Sequence, residues 1–274
     1  MVMDGGENCV SFGVAQSVSA GAGRCRRRQA PAFHNCILRQ LPLATQRRLR
    51  GRMEEVELRP CASIYEPDRP SRYAYFPEAG VASIVTVLAD GTETEVASVG
   101  NEGMIGLAVF SGAETAPRRA FWQTPSRAWR MDAATLLRET RQGGALAAVL
   151  HRYTHAMFTQ LAQLATCHRH HTIKQRCCCW LLLMHDRIDG DEFSVTHQFL
   201  AQLLGMRRAG VTEILGELER MGAIEHRRGR ITIRDRGRLK KMACECYSVV
   251  RREFDRLVSG ERRQPNNPGR LSVR

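Results

Sequence analysis

The stretch FLAQLLGMRRAGVTEILGELERMGAI, residues 199–224, decides the fold of the carboxy-terminal part of the chain. A helical apolar spacing runs up to Gly205, stops for a few residues, and then restarts. Ala201 is small where two helices would cross closely, and Gly205 accepts the left-handed backbone that a tight turn needs. Val211 and Ile214 then point back at the first helix. This spacing predicts a helix-turn-helix.

Two arginines, Arg207 and Arg208, stand where the second helix must begin. The start of a helix carries partial positive charge, so cations are unfavourable there. A DNA groove would offset this cost, because it supplies phosphates and guanine edges that a guanidinium binds bidentately. We therefore expect Arg208 to read a base and Arg207 to contact a phosphate. Thr212 and Glu213 are expected to face the same groove one turn later.

A basic hairpin is predicted directly after the second helix. Residues 223–235, AIEHRRGRITIRD, have the pattern of two strands joined by a turn at Arg228-Gly229. Arg227, Arg228 and Arg230 are the candidate phosphate contacts of this hairpin. Between residues 205 and 241 there are eleven Lys and Arg against five Asp and Glu, which favours a polyanionic ligand. The layout is typical of a winged helix-turn-helix that binds DNA, although the same motif can also dock a protein partner.

The composition supports a globular, basic protein. Its 274 residues are 43% hydrophobic and carry a net charge of +13, which favours nucleic acid, or next an anionic membrane surface, as partner. No apolar run is long enough to span a membrane, and no secretion signal is evident, so we expect a cytoplasmic protein without a membrane partner. The ten cysteines are interpreted as reduced thiols. No catalytic motif is found, so the sequence predicts no enzyme.

Upstream of the helix-turn-helix the pattern changes twice. A helical spacing over residues 35–57 is followed by short β-favouring runs to residue 131, such as VASIVTVL, with turn signals such as Asp90-Gly91 between them. These runs indicate an antiparallel sandwich or barrel. A helical apolar seam then follows. It can pack on its own domain or pair with a second copy of the chain, and we expect the pairing; its members are Leu146, Leu150, Tyr153, Met157, Leu161 and Leu164.

The chain resembles the Crp/Fnr family of bacterial transcription regulators over about residues 35–260. The resemblance is carried by YFPEAGVASIVTVLADGTETEVASVGNEGMIGLAVF, HRHHTIKQRCCCWLLL, the helix-turn-helix stretch, RRGRITIRDR and ACECY. It implies an α+β protein of two domains: an antiparallel β jelly-roll and a carboxy-terminal winged helix-turn-helix, joined by a long dimerisation helix. It further implies a homodimer on near-palindromic double-stranded DNA, with RNA polymerase and an unknown small-molecule effector as further candidate partners.

On this basis the chain divides into five segments. The predicted segments are a disordered basic arm over 1–33, a cyclic-nucleotide-binding-like sensor barrel over 34–143, a dimerisation helix over 144–187, a winged helix-turn-helix over 188–260 and a disordered tail over 261–274.

The segment that matches the family's phosphate cassette departs from its pattern. Gly106 is present, but Leu107 replaces the acid that takes a ribose hydroxyl in cyclic-nucleotide-binding members, and Arg118 and Arg119 replace the Arg-Ser pair. Leucine accepts no hydrogen bond, so we expect no cyclic AMP binding. Gly106, Arg118 and Arg119 remain candidates for a different effector pocket. A cyclic-nucleotide-sensing regulatory subunit and a protein–protein adaptor are the alternative functions.

Other chemistry-bearing residues are given structural roles by the sequence. Cys167 and His171 share a helix face, but two ligands fall short of the four of a closed zinc site, so the sequence predicts no metal and no cofactor. Glu93 and Glu95 alternate along a strand, as charges do on the exposed face of a sheet.

Overall fold

The computed structural model describes residues 33–141 and 143–259. The predicted tail over 261–274, and the predicted basic arm over 1–33 apart from its last residue, lie outside this part of the chain.

Two short helices open the described chain. Helix α1 (Cys36–Arg39) is capped by the Asn35 side chain, which accepts hydrogen bonds from the Ile37 and Leu38 amides. Helix α2 (Leu43–Arg50) starts after Pro42, whose extended backbone separates it from α1. The prediction of one helical segment over 35–57 is therefore wrong in two places. The helix is interrupted at Pro42, and residues 54–58 form a strand.

Seven antiparallel strands form the amino-terminal domain of the described chain in two sheets. They are β1 (Glu54–Leu58), β2 (Ser63–Tyr65), β3 (Tyr73–Ala79), β4 (Ala82–Val87), β5 (Glu93–Val99), β6 (Arg119–Trp122) and β7 (Ser126–Asp132). The sheet orders are β1-β7-β3 and β2-β6-β4-β5. The predicted Asp90-Gly91 turn joins β4 to β5, with Asp90 accepting from the Thr92 amide and Gly91 at φ +82°. Helix α3 (Leu107–Phe110) lies between β5 and β6, and α4 (Ala133–Arg141) follows β7.

The segment predicted as one dimerisation helix over 144–187 is two helices. Helix α5 (Ala145–His170) stops at His171, whose backbone is extended. Helix α6 (Ile173–His185) then starts with a capping box between Thr172 and Gln175. A capping box satisfies two amide donors of a new helix start, so the break is fixed by local sequence.

The carboxy-terminal domain is a helical pair with a three-stranded wing. Its elements are β8 (Glu192–Ser194), α7 (His197–Leu204), α8 (Arg208–Arg220), β9 (Ile224–Arg227), β10 (Arg230–Ile233), α9 (Arg236–Met242) and α10 (Glu245–Phe254), followed by a π-helical turn (Asp255–Ser259). The sheet order is β8-β10-β9. The segment between α6 and α7 supplies strand β8, which pairs with β10.

A buried ion pair connects this domain to the barrel. Arg187 donates to Glu102 Oε1 at 2.9 Å and to Ser98 Oγ at 2.6 Å, and the Arg187 side chain is only 4% exposed. Removing one partner of such a pair leaves an uncompensated charge, so a substitution at Arg187 is expected to destabilise the packing between the two domains.

Most of the predicted dimerisation seam is buried within the chain itself. Leu146, Leu150, Tyr153 and Met157 pack into the barrel core. The Tyr153 hydroxyl donates to the Met104 carbonyl at 2.9 Å. The expectation that these four residues pair with a second copy is therefore wrong, because the barrel already covers them. Within the part of the chain that the structure describes, no helix is both long and apolar enough to cross a bilayer.

Candidate nucleic-acid interface

The corner between α7 and α8 has the geometry that its sequence predicts. Thr196 caps α7 by accepting from the Phe199 amide, and Gly205 adopts the left-handed conformation at φ +63° and ψ +46°. Ala201 and Val211 are buried between the helices, and Ile214 is half-buried beside them. The four residues that the sequence assigns to the core of the helix-turn-helix thus lie at or beside the contact between α7 and α8.

The start of α8 is exposed and positively charged. Arg207 is the N-cap residue without a side-chain capping bond, and Arg208 is the first helical residue. Both are exposed, and among the described residues neither has a hydrogen-bond or ion-pair partner for its side chain. The helix thus begins with unsatisfied amide donors beside two unpaired guanidinium groups, an arrangement that attracts an anion.

One turn further along α8, Thr212 and Glu213 are exposed as predicted. Thr212 Oγ1 donates to the Arg208 carbonyl at 3.3 Å and lies 3.0 Å from His197 Nδ1. His197 was not identified from the sequence, although its position right after the Thr196 cap places it at the start of α7. Burial lowers the pKa of His197, and the charges of His226 and Arg208 lower it further, so the ring is neutral at neutral pH.

The wing has a two-residue turn at the predicted place. Arg228 (φ +47°) and Gly229 (φ +78°) both have positive φ, and Arg227 pairs with Arg230 across the strands. Two positive φ angles in a two-residue loop define a type I′ turn, whose twist matches that of the strands. Arg227 pairs with Glu225 at 2.8 Å and Arg230 with the third strand's Glu192 at 3.1 Å. Among the described residues, the exposed Arg228 side chain has no such partner.

Arg176 supports this surface from behind and was not identified from the sequence. Its Nη2 donates to the Leu204 carbonyl at 2.6 Å, which satisfies an acceptor at the carboxy-terminal end of α7. A cation at the carboxy-terminal end of a helix also interacts favourably with the helix dipole. The residue therefore fixes α7 against α6, next to the turn that presents α8.

Two family models match the chain at the places where these domains lie. A cyclic nucleotide-binding domain matches residues 55–142, and a Crp-like helix-turn-helix domain matches residues 175–242. The two matched segments together cover more than half of the chain, in the order that the strands, α5 and the winged helix require.

The chain belongs to the Crp/Fnr family. Solved structures with the same fold include FixK2 from Bradyrhizobium japonicum, at 19% identity and a TM-score of 0.61 over 70% of this chain and 98% of that one. They also include the CRP-family transcriptional regulator TTHB099 from Thermus thermophilus, at 20% identity and 0.57 over 69% and 96%. The CRP/FNR-family regulator TTHA1359 from the same organism gives 24% identity and 0.52 over 69% and 98%. A comparison with curated protein sequences finds no significant match.

Of the two arginines that stand where the family has Arg-Ser, the second, Arg119, is already engaged. Arg119 Nη1 donates to Glu93 at 2.8 Å, and its Nε lies 3.6 Å from Glu66. Gly106 has φ +101° at the start of α3, while Arg118 is exposed. An anionic effector at Arg119 would have to displace two carboxylates, whereas the exposed Arg118 is not held by such a pair among the described residues.

A small apolar cavity of about 100 Å³ lies where β5 of the barrel faces α5, α6 and α7. Glu95 lines it and is 9% exposed, with Trp180 Nε1 donating to Oε1 at 3.2 Å. The expectation that Glu95 lies on an exposed sheet face is therefore wrong, because α5 and α7 pack on β5 and Trp180 of α6 contacts the Glu95 carboxylate. Burial raises the pKa of Glu95 to about 7. Hydrogen bonds from Ser83 and Trp180 and the charge of Arg187 lower the pKa, but their effect is smaller.

The cysteines of the carboxy-terminal half are buried. Free thiols are found at Cys167, Cys177, Cys178, Cys179, Cys244 and Cys246, as expected for reduced cysteines, whereas Cys61 is disulfide-bonded, so the expectation is wrong there. The ligand atoms of Cys167, His171, Cys244 and Cys246 all lie within 4.8 Å of one another. Two ligands could be recognised from the sequence, Cys167 and His171, and the fold adds Cys244 and Cys246 to them.

Proposed function

We propose that this Crp/Fnr protein is a sequence-specific regulator that binds double-stranded DNA through α8 and the wing. The observation that carries the proposal is the set of three exposed arginines without described partners, Arg207, Arg208 and Arg228, on a winged helix-turn-helix. Elsewhere on the wing the arginines are paired with glutamates. Unpaired guanidinium groups next to uncapped amides gain most from a phosphate backbone.

The residues divide into two roles at the groove. Arg208 begins α8 and is suited to a guanine edge, while Thr212 and Glu213 extend the same exposed face by one turn. Arg207 lies outside the first turn and is suited to a phosphate. On the wing, Arg228 is free to contact a phosphate directly. Arg227 and Arg230 would first exchange their glutamate partners for the DNA backbone.

A second copy of the chain would supply the symmetry that a near-palindromic site requires. The face of α5 turned away from the barrel exposes Phe158 to 68% and Leu161 to 37%, and Leu164 is half-buried beside them. Exposed large apolar side chains in one row are favoured sites for association. A two-fold pair through this face would place two copies of α8 in successive major grooves, about 34 Å apart.

This proposal sets aside two alternatives. A cyclic-nucleotide-sensing subunit is disfavoured by Leu107, which stands where those members have the ribose-binding acid, and a protein adaptor would have no need for the unpaired arginines. As a transcription regulator the protein would act in the cytoplasm, with RNA polymerase as a further partner and an effector still to be identified.

In-vitro selection from a random duplex pool at fixed ionic strength tests the proposal, since bound DNA depends strongly on salt. The full chain should enrich a two-fold symmetric sequence. Arg208→Ala should relax the preference at one base pair of each half-site. Arg59→Ala, which removes an exposed arginine of the barrel, should leave the enriched sequence unchanged. Failure of the wild-type chain to enrich any sequence would refute the proposal.

A further inference from the structure

The last turn of α5 and the start of α10 bring four metal-ligating side chains together. Cys167 and His171 come from α5 and the residue after it, and Cys244 and Cys246 flank the first residue of α10. Their ligand atoms lie within 4.8 Å of one another. Three of them are buried and His171 is half-buried, so the group is a cluster inside the protein rather than a chance surface grouping.

We propose that these four residues bind one Zn²⁺ ion in a tetrahedral Cys₃His site. With Zn–S near 2.3 Å and Zn–N near 2.0 Å, tetrahedral geometry places two sulfurs about 3.8 Å apart and a sulfur and a nitrogen about 3.5 Å apart. Cys167 Sγ and Cys244 Sγ are 3.5 Å apart, and Cys246 Sγ is 3.4 Å from His171 Nδ1. Small side-chain adjustments therefore suffice to close the site around one ion. Thiolate and imidazole ligands in this number select zinc among the common divalent ions.

Neighbouring groups already orient the ligands. Glu245 Oε2 lies 3.4 Å from His171 Nε2, so it can hold the ring with Nδ1 free for the ion. Gln163 Nε2 donates to Cys246 Sγ at 3.3 Å. Carboxylate and amide partners of this kind fix the tautomer of a ligating histidine and stabilise a ligating thiolate. Cys179 Sγ lies 3.2 Å from Cys244 Sγ and can donate its S–H to the Cys244 thiolate.

The ion has a route to the site and a nearby positive charge. Cys167, Cys179 and Cys246 line the cavity of about 100 Å³ between the barrel and α6, and Arg176 lines the same cavity. On binding, the three ligating thiols release three protons to solvent and the four-ligand complex carries a net charge of −1. Arg176 is placed to balance that charge. No change of oxidation state is involved.

A disulfide is the rival use of these cysteines. A disulfide requires its sulfurs to approach to about 2.05 Å, whereas the pairs here are 3.2 and 3.5 Å apart. The separation of Cys167 Sγ from Cys244 Sγ is instead close to that of two sulfurs that share one tetrahedral ion.

The bound ion would fix the winged helix to α5. Cys167 and Cys244 are 77 residues apart in sequence, and the chain between them forms α6, α7, α8 and the wing. Closing this long loop stabilises the fold by restricting the unfolded chain. The inference is independent of DNA binding, because metal content can be measured without DNA.

The test measures metal on the full chain. The protein is stripped with a chelator under reducing conditions and reloaded with Zn²⁺ or with Co²⁺, whose visible absorption is intense in tetrahedral thiolate sites. We expect one ion per chain by mass spectrometry of the metal, and a rise in the melting temperature on loading.

Matched variants identify the ligands. His171→Ala and Cys246→Ser should weaken zinc binding at least about 100-fold in competition with a chromophoric chelator, whereas His170→Ala and Cys177→Ser should retain wild-type affinity. Glu245→Gln, at an exposed position, should weaken it about 10-fold and keeps the test decisive if Cys246→Ser does not fold. A wild-type chain without stoichiometric zinc, a native Cys167–Cys244 disulfide, or unchanged affinity in His171→Ala would overturn the proposal.

Discussion

Replacing Glu95 by glutamine should change how the stability of the protein depends on pH. Glu95 is buried on β5 in contact with Trp180 of α6, and among the described residues its Oε2 has no hydrogen-bond partner. Burial raises its pKa from an ordinary value of 4.5 to about 7. Glutamine keeps the size and the oxygen that accepts from Trp180, but it cannot ionise. The substitution therefore isolates the cost of the buried charge.

The sign and size of the effect follow from the two pKa values. The folded state holds the Glu95 proton more tightly than the unfolded state, so folding stability is greatest below pH 4.5 and falls as the pH rises to about 7. Above pH 7 the loss is complete. Each pKa unit corresponds to about 1.4 kcal/mol, so the shift corresponds to a loss of about 3 kcal/mol over the whole window.

Urea denaturation of both proteins between pH 5 and pH 8 measures this effect. His168 and Arg176 line the same cavity and Arg187 also acts on Glu95, but their contributions cancel when wild type is subtracted from Glu95→Gln. We expect the stability of Glu95→Gln relative to wild type to increase by about 2 to 3 kcal/mol from pH 5 to pH 8. A difference that stays constant over this range would refute the assignment of a neutral buried carboxyl.

Three other substitutions test separate parts of the fold. Gly205→Ala should lower the free energy of unfolding in urea by about 1–2 kcal/mol, because alanine is strained at a φ of +63°. The added methyl meets no atom within 4 Å, so backbone strain alone accounts for the loss. An unchanged free energy would argue against the left-handed turn. Phe158→Asp should convert the proposed dimer to a folded monomer in light scattering, because this side chain is 68% exposed in one chain and belongs to the proposed contact. An unchanged mass would place the dimer contact elsewhere. Arg187→Ala should cost about 3 kcal/mol because it leaves the largely buried carboxylate of Glu102 without its guanidinium partner. Arg230→Ala, at an exposed pair, should cost less than about 1 kcal/mol, and equal losses in thermal denaturation would contradict the role of Arg187.

The helix-turn-helix could be predicted from sequence because its determinants are local. Ala201, Gly205 and Val211 act over ten residues, and the Arg228-Gly229 turn needs only its own two φ angles. The strand-rich domain could likewise be recognised from its short runs and from the turn at Asp90. The structure confirms these elements.

The errors concern what covers a surface. An apolar period shows that one face of α5 is buried, but not whether the barrel or a second chain buries it, and at Tyr153 the barrel does so. Alternation at Glu95 identifies a sheet face, but the docking of α5 and α7 on β5 depends on distant packing. The cysteine cluster could not be predicted for the same reason, because Cys167 contacts Cys244, which is 77 residues away in sequence.

A fluorescence anisotropy titration tests the central claim, that α8 and the wing bind DNA through unpaired arginines, most directly. Wild type, Arg208→Ala, Arg207→Ala and Arg59→Ala are titrated onto the selected duplex and a scrambled duplex at several salt concentrations. Arg208→Ala should lose about 1–3 kcal/mol of preference for the selected duplex, and Arg207→Ala should weaken binding to both while lowering the salt slope by about 1. Arg59→Ala should match wild type. If Arg208→Ala and Arg207→Ala bind both duplexes as wild type does, the account is contradicted.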